Sequence, residues 1–283
     1  MSADLKVVET KFPTVDELEV FMLEQEQAEC PVRHIFGDGL YIREVTFKAD
    51  TWAIGHHQKF TQMNIMIKGK VKMYNSDGTT KILEAPLTFM GPPGRKAGYI
   101  IEDTVWQNVY ATNEKDVGKL EDYFLDKSEA SLLKYKEDTL LLEDKSDDIK
   151  DYELLLEELG MTEDQVQNQV QNLEDRIDLP NGNYKFRSAK SNISGEGVFA
   201  TSSIKPWEII GPAKIDGLRT ILGYGVNHST NPNAIMMEEG GDVFLVSVVD
   251  IAGSTGGKLG DEITISYRET IKALKDNEKR ELI

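Results

Sequence analysis

The sequence predicts an α+β protein of 283 residues in three parts: an N-terminal β-barrel or sandwich (residues 1–113), an acidic helical connector (114–178) and a C-terminal β fold (179–283). Three observations predict it. Eight short runs of strand-forming residues lie between turns from Leu40 to Ala111, the spacing of an all-β unit. Apolar residues then recur at helical spacing from Asn113 to Asp178, a stretch with 21 acidic and 8 basic residues. Past Pro180-Asn181-Gly182 the pattern returns to short β runs broken by glycine. The length is enough for two domains, each burying its own core.

The elements follow in order. Thr14-Val15-Asp16-Glu17 has the form of a capping box ahead of Leu18, Phe21, Met22 and Gln25, so a short amphipathic helix opens the fold. The β runs are Leu40 to Phe47, Trp52 to His56, Met63 to Ile67, Val71 to Tyr74, Lys81 to Leu83, Leu87 to Met90, Tyr99 to Ile101 and Val105 to Ala111. Asn75-Ser76-Asp77-Gly78 and Gly91-Pro92-Pro93-Gly94 are turns between them. In the connector, helices are expected over Val117–Phe124, Glu129–Leu142, Ile149–Leu159 and Thr162–Leu173, the last opened by the capping box Thr162-Glu163-Asp164-Gln165. Lys145 to Lys150 reads as the most mobile stretch.

Charge and cysteine content narrow the function. The net charge is -17, and the connector carries most of it, since residues 179–283 hold 12 basic against 13 acidic side chains. A phosphate backbone is repelled by such a chain, which leaves a protein substrate or partner and disfavours nucleic acid. A single cysteine, Cys30, excludes a disulfide framework and a cysteine-based zinc cluster and fits a reducing cytosol. Met1-Ser2-Ala3-Asp4-Leu5-Lys6 has no apolar targeting core and no later run is long enough for a membrane span, so a soluble cytoplasmic protein is expected.

Three motifs of the C-terminal part carry the chemistry. They are Ser194-Gly195-Glu196-Gly197-Val198-Phe199-Ala200, then Asn227-His228-Ser229-Thr230-Asn231-Pro232-Asn233, then Gly260-Asp261-Glu262-Ile263-Thr264-Ile265-Ser266-Tyr267. Each alone has an ordinary reading: a glycine turn, a structural histidine, and a strand in which Ile263, Ile265 and Tyr267 alternate. In this order and spacing they resemble the SET domain, the fold of S-adenosylmethionine-dependent protein-lysine methyltransferases, over roughly Tyr184 to Arg268. The resemblance implies that Gly195, Glu196, Gly197, Val198, Phe199, Tyr224, Asn227 and His228 hold S-adenosylmethionine and that Tyr267 is the catalytic residue that orients the lysine amine. Methyl transfer is an in-line displacement governed by positioning and desolvation, so few reactive side chains are needed. The chain departs from the family in three places. Tyr224-Gly225 stand where the family has an arginine and an aromatic, the segment before Asn227 is short, and the zinc-binding cysteines are absent, leaving a helix at Glu269 to Glu281 to close the site.

The N-terminal part has its own motif. Gly55-His56-His57-Gln58, then Gln62 and Gly69, then Pro92-Pro93-Gly94, resemble the two motifs of the cupin jelly roll. Where metal-binding cupins offer histidines and a carboxylate, this chain has Gln58, Gln62 and Ala97, and adjacent histidines on a strand face opposite ways. A metal-free barrel is therefore expected, acting in homo-oligomer assembly. The run from His56 to Asp116 is also similar to cupin-like proteins encoded by tailed bacteriophages, a resemblance that implies the bacterial host cytoplasm or association with a virion as the expected location. Two functions remain: methylation of a protein lysine, or a non-catalytic structural or interaction protein that uses a degenerate SET fold as a binding surface.

Overall fold

The computed structural model describes residues 14–74, 79–132, 146–256 and 258–272. It is an α+β chain made mostly of strands. The N-terminal part contains β1 (Val32–Gly37), β2 (Leu40–Phe47), β3 (Thr51–Ile54), the two-residue β4 (His57–Gln58), β5 (Gln62–Tyr74), β6 (Thr80–Glu84), β7 (Leu87–Gly91) and β8 (Ala97–Ala111). All but β4 lie in one antiparallel eight-stranded sheet, completed by β10 (Gly182–Tyr184) from beyond the connector. Its order is β10-β1-β2-β8-β5-β6, with β3 also on β8 and β7 also on β5.

Two pairs of expected strands are single long ones. Met63 to Ile67 and Val71 to Tyr74 join in β5, and Tyr99 to Ile101 and Val105 to Ala111 join in β8. The break read at Lys68-Gly69-Lys70 is a bend within the ladder, marked by register shifts between β5 and β8. Gly69 makes the bend with φ at +99°, and a Cβ there would lie 2.3 Å from Thr104 Oγ1. The bent strands let β8 pair with β3 at one end and β2 at the other, so the sheet curls. Among the described residues its hydrogen bonding does not close, and the expected barrel is an open roll.

The opening helix α1 (Val15–Leu23) is capped by Thr14, whose Oγ1 accepts from Glu17 N at 3.2 Å. Its Glu19 binds Arg95 at 2.6 Å and fixes it across the roll. The connector supplies α2 (Val117–Phe124), β9 (Leu125–Asp126, paired with β4), α3 (Ser146–Leu159) and α4 (Glu163–Val170). The capping box at Thr162 is complete, with both reciprocal bonds to Gln165. Of Lys145 to Lys150, read as the most mobile stretch, Ser146 to Lys150 begin α3, and Lys145 lies outside the described residues. The helix expected at Glu129 is present to residue 132, and its remainder lies outside the described residues.

The C-terminal part adds β11 (Phe186–Lys190), β12 (Glu196–Ala200), β13 (Ile209–Ile215), β14 (Leu218–Arg219), the short helix α5 (Ile221–Tyr224), β15 (Asn227–His228), β16 (Ala234–Glu239), β17 (Asp242–Ser247) and β18 (Glu262–Ile265). They form two sheets, β11-β12-β18-β15 and β14-β13-β17-β16. One hydrophobic cluster runs from Phe36, Tyr41 and Tyr110 of the roll through Leu120 of α2 to Val198, Leu245 and Ile263. A second, around Met66, Val71 and Ile100, fills the far end of the roll. The boundary expected at 178/179 is thus crossed by shared core, by the β1–β10 ladder and by Thr201 Oγ1 donating to Val32 O at 2.8 Å. No helix among the described residues is long and apolar enough to cross a membrane.

Candidate functional site

The three C-terminal motifs meet on adjacent strands. Antiparallel pairing sets Val198 of β12 opposite Ile263 of β18, and parallel pairing sets Asn227 and His228 of β15 beside Thr264 and Ile265. Side chains tie the strands together. Asn227 Nδ2 donates to Glu262 Oε1 at 2.8 Å, to Ser194 O at 3.1 Å and to Glu196 O at 3.3 Å. Ser191 Oγ donates to the same Glu262 carboxylate at 2.8 Å. Glu262 also explains Gly197, because a Cβ there would lie 2.2 Å from Glu262 Oε1 and 3.1 Å from Asn227 Nδ2. The missing side chain makes room for an internal carboxylate.

His228 and Tyr267 form the other half. Tyr267 N donates to His228 Nδ1 at 3.2 Å, so the ring proton sits on Nε2 and is donated to Asp151 Oδ2 at 2.9 Å. Tyr267 does not continue the β18 alternation. It starts a helical turn, closed by Thr270 N donating to Ser266 O at 3.1 Å, which carries its ring to 5.2 Å from His228 and 6.0 Å from Tyr152. The described part of this helix ends at residue 272. The Tyr267 hydroxyl donates to Val226 O at 2.9 Å. Burial, with the Glu163 and Glu262 charges nearby, pushes its pKa up to about 12, so the phenol is neutral.

Helix α3 covers this half of the site, an arrangement the sequence reading missed. Asp151 accepts from Arg268 Nε at 3.0 Å, and the hydrogen bond from Arg268 holds its carboxyl below the usual range. Asp148 accepts from Thr230 N at 2.7 Å, Thr230 Oγ1 at 2.8 Å and Ser229 Oγ at 3.2 Å. The acidic face of α3 therefore binds the loop after Asn-His-Ser. Asp148→Ala leaves a backbone N–H and two hydroxyls without this acceptor, and a loss of about 1–3 kcal/mol is expected in urea unfolding. An unchanged unfolding midpoint would show that α3 is not docked through this carboxylate.

The remaining expected cofactor residues divide by position. Gly195 is in the β11–β12 turn with φ at +50°, its carbonyl accepting from Ser191 N at 3.0 Å. Val198 and Phe199 are core positions that offer a ligand only backbone. Glu196, Gly197, Tyr224 and Gly225 line a cavity of about 950 Å³ that continues into the roll. The Arg176 guanidinium lies 4.0 Å over the Tyr224 ring, a connector cation that the sequence spacing could not reveal. Tyr267 is off the cavity wall, but its hydroxyl reaches the carbonyl next to Gly225.

In the roll, His56 lines the same cavity, and burial pushes its pKa down to about 4. His57 is outside the lining and pairs with Asp126 in the β4–β9 ladder. Gln58 Oε1 accepts from Tyr110 OH at 2.9 Å. The Gln62 amide donates to Phe60 O at 2.6 Å while its oxygen accepts from Lys96 Nζ at 3.0 Å. Ala97 is buried at the start of β8. Among the described residues no three His, Cys, Asp or Glu side chains are grouped to share a metal ion.

No family model matches the chain, and no curated protein does. Among solved structures, an HTH_3 family transcriptional regulator from Vibrio cholerae is similar at 16% identity and TM-score 0.25, over 33% of this chain and 60% of that one. A protein from Neisseria meningitidis is similar at 11% identity and TM-score 0.26, over 35% of this chain and 99% of that one. A cupin-2 domain containing protein from Shewanella frigidimarina is similar at 11% identity and TM-score 0.24, over 35% of this chain and 95% of that one. Likenesses at these TM-scores carry no argument about activity, and the fold rests on the strand order given above.

Proposed function

We propose that the C-terminal part is a SET-like methyltransferase that uses S-adenosylmethionine to methylate a protein lysine. The observation that carries this reading is the convergence of the three motifs on β12, β15 and β18, joined by the Asn227–Glu262 bond and the His228–Tyr267 contact. The donor set fits the cofactor at the cavity end nearest β12. Tyr224 offers an aromatic ring, and Lys190 and Glu196 offer charges of both signs, as an adenosine and a zwitterionic amino acid require. When bound, the cofactor supplies the methyl group on a sulfonium. Glu196, Gly197, Tyr224 and Gly225 would hold it, while Asn227 and His228 act through the backbone they fix. Tyr267, neutral at working pH, would orient the amine through its hydroxyl.

Calorimetric titration of the full chain with S-adenosylmethionine tests the reading. One-site saturable heat is expected, and none at millimolar cofactor would end it.

A second reading is favoured by one specific observation. The Asn227, His228 and Ser229 side chains all donate within the chain, the last two to α3, which suits a fixed binding surface as well as an enzyme. On that reading the protein is a phage structural or interaction protein. Its roll would pair with a second copy through exposed strand faces such as the cross-strand neighbours Met63 and Met90. Both readings leave the protein in the host cytoplasm or on a virion, with a protein as its partner.

A further inference from the structure

Three consecutive rungs of inward-facing side chains cross β1, β2, β8 and β5. The first is Val32, Val45, Trp106 and Met66, and the third begins Phe36, Tyr41 and Tyr110, as the interior of a roll requires. The rung between them is polar throughout: His34 opposite Arg43, Arg43 opposite Asn108, Asn108 opposite Asn64. All four line the cavity.

Two of these side chains bring buried nitrogens that find no partner. His34 is 1% exposed, and its Nε2 has no hydrogen bond, nor has the buried Nε of Arg43. Among the described residues the buried Tyr41 hydroxyl has no hydrogen-bond acceptor other than His34 Nδ1, 2.8 Å away, so it donates there and fixes the tautomer. Nε2 then carries the proton. Burial and the Arg43 charge push the His34 pKa down to about 3, so the ring is a neutral donor at working pH. Asn64 Oδ1 accepts from Trp106 Nε1 at 3.1 Å and from Asn108 Nδ2 at 2.9 Å. That fixes the Asn108 amide and leaves its Oδ1 as an acceptor.

Charge points the same way. In a chain of net charge -17 the cavity wall carries eight Lys or Arg against five Asp or Glu. The buried Glu121 already has Arg187 at 2.5 Å and Lys127 at 2.8 Å, so the Arg43 charge near it is in excess. Natural interiors seldom leave two N–H donors on one rung unmatched without a ligand to meet them.

We propose that this rung binds a small hydroxy acid, its carboxylate accepting from Arg43 Nε and His34 Nε2 and its hydroxyl donating to Asn108 Oδ1. The rung shares its cavity with His56 and Gln58 of the barrel motif, and Asn64 Nδ2 donates to Gln62 O at 3.2 Å, but the proposed contacts use none of those three residues and need no metal. It shares that cavity with the proposed cofactor site but uses none of the residues assigned there.

The test is calorimetry of the full chain with glycerate, malate and gluconate, with inorganic phosphate as reference anion, alongside tryptophan emission to report on Trp106. One-site saturable heat from at least one hydroxy acid is expected, with phosphate weaker. Arg43→Gln and the near-isosteric Asn108→Asp should each weaken binding about tenfold or more, the second by placing a carboxylate against the ligand. Because the Arg43 Nε has no partner, and Arg187 and Lys127 already pair with Glu121, Arg43→Gln should lower the melting point of the unliganded protein by no more than a few degrees. No saturable heat from any hydroxy acid at millimolar concentration, phosphate binding as tightly as the acids, or wild-type affinity in either folded variant would overturn the proposal. So would an Arg43→Gln melting point many degrees lower, since it would show the guanidinium serving the fold.

Discussion

Arg187→Ala is expected to cost about 3–5 kcal/mol of folding stability at neutral pH, the loss that follows when one partner of a buried ion pair is removed. Glu121 on α2 is 9% exposed at its side chain, and Arg187 on β11 is its nearest cation, with Lys127 on its other side. Burial alone would raise the Glu121 carboxyl, but the charges of Arg187, Lys127 and Arg43 outweigh it and hold the group well below the ordinary 4.5. A carboxyl depressed in the folded state stabilises the fold at pH above its unfolded value. That contribution is lost as pH falls through 4.5 towards the folded value. The gap between wild type and Arg187→Ala should therefore be widest near pH 7 and shrink on acidification. Urea unfolding at several pH values measures it. A gap under about 1 kcal/mol at pH 7, as for an exposed pair, would show that the connector is not clamped to the C-terminal part in this way.

The sequence made the element types legible where a local rule governs them. Thr162 and Gln165 form their capping box because both partners are three residues apart and nothing else competes for them. The turn-marked runs are strands for the same reason. Continuity was not legible. Gly69 and Glu102-Asp103 look like breaks, yet the chain bends there without leaving the ladder, because the neighbours that hold it are 30 or more residues away in sequence. Strand β1 was missed because Arg33 and His34 interrupt its apolar pattern, and His34 is buried against Tyr41 by the sheet around it.

The candidate site divides along the same line. The Gly-x-Gly, Asn-His-Ser and Glu-Ile motifs lie on adjacent strands, but their order along the chain did not specify that pairing. Nor did it anticipate what fills the space between them. Gly197 reads as room for a ligand, and in the structure Glu262 and Asn227 take up that room. Asp148 and Asp151 belong to the acidic connector, where most carboxylates on a helix surface are solvated, so no motif in the sequence marks them as contacts. Their pairing with Ser229, Thr230 and His228 depends on α3 docking about 80 residues before its target in sequence, a long-range fact with no local signal. Only the coincidence of two aspartates three apart with an apolar helix face hinted that this helix has a polar contact to make.

On the proposed methyltransferase reading, Tyr267→Phe is expected to lower methyl-transfer turnover about 100-fold, the cost of misaligning a reacting group, while S-adenosylmethionine affinity stays within about twofold. The prediction separates the ring from the hydroxyl. The ring packs against His228 and Tyr152 and accompanies the backbone bond from Tyr267 N to His228 Nδ1, all of which phenylalanine keeps. The hydroxyl is bonded to Val226 O beside the cavity wall, and phenylalanine removes only that. With its pKa pushed up to about 12 the phenol is protonated across the working range, so on the methyltransferase reading it would orient an amine and would not deprotonate it. The rise of turnover with pH should accordingly keep the same midpoint in wild type and variant, since it reports the lysine amine, while the plateau falls. Single-turnover assays on lysine-containing protein substrates measure both quantities. Equal plateaus would place the chemistry away from Tyr267. A wild type that binds the cofactor yet methylates no lysine in a diverse panel would transfer the case to the interaction reading, in which the hydroxyl serves only to hold Val226.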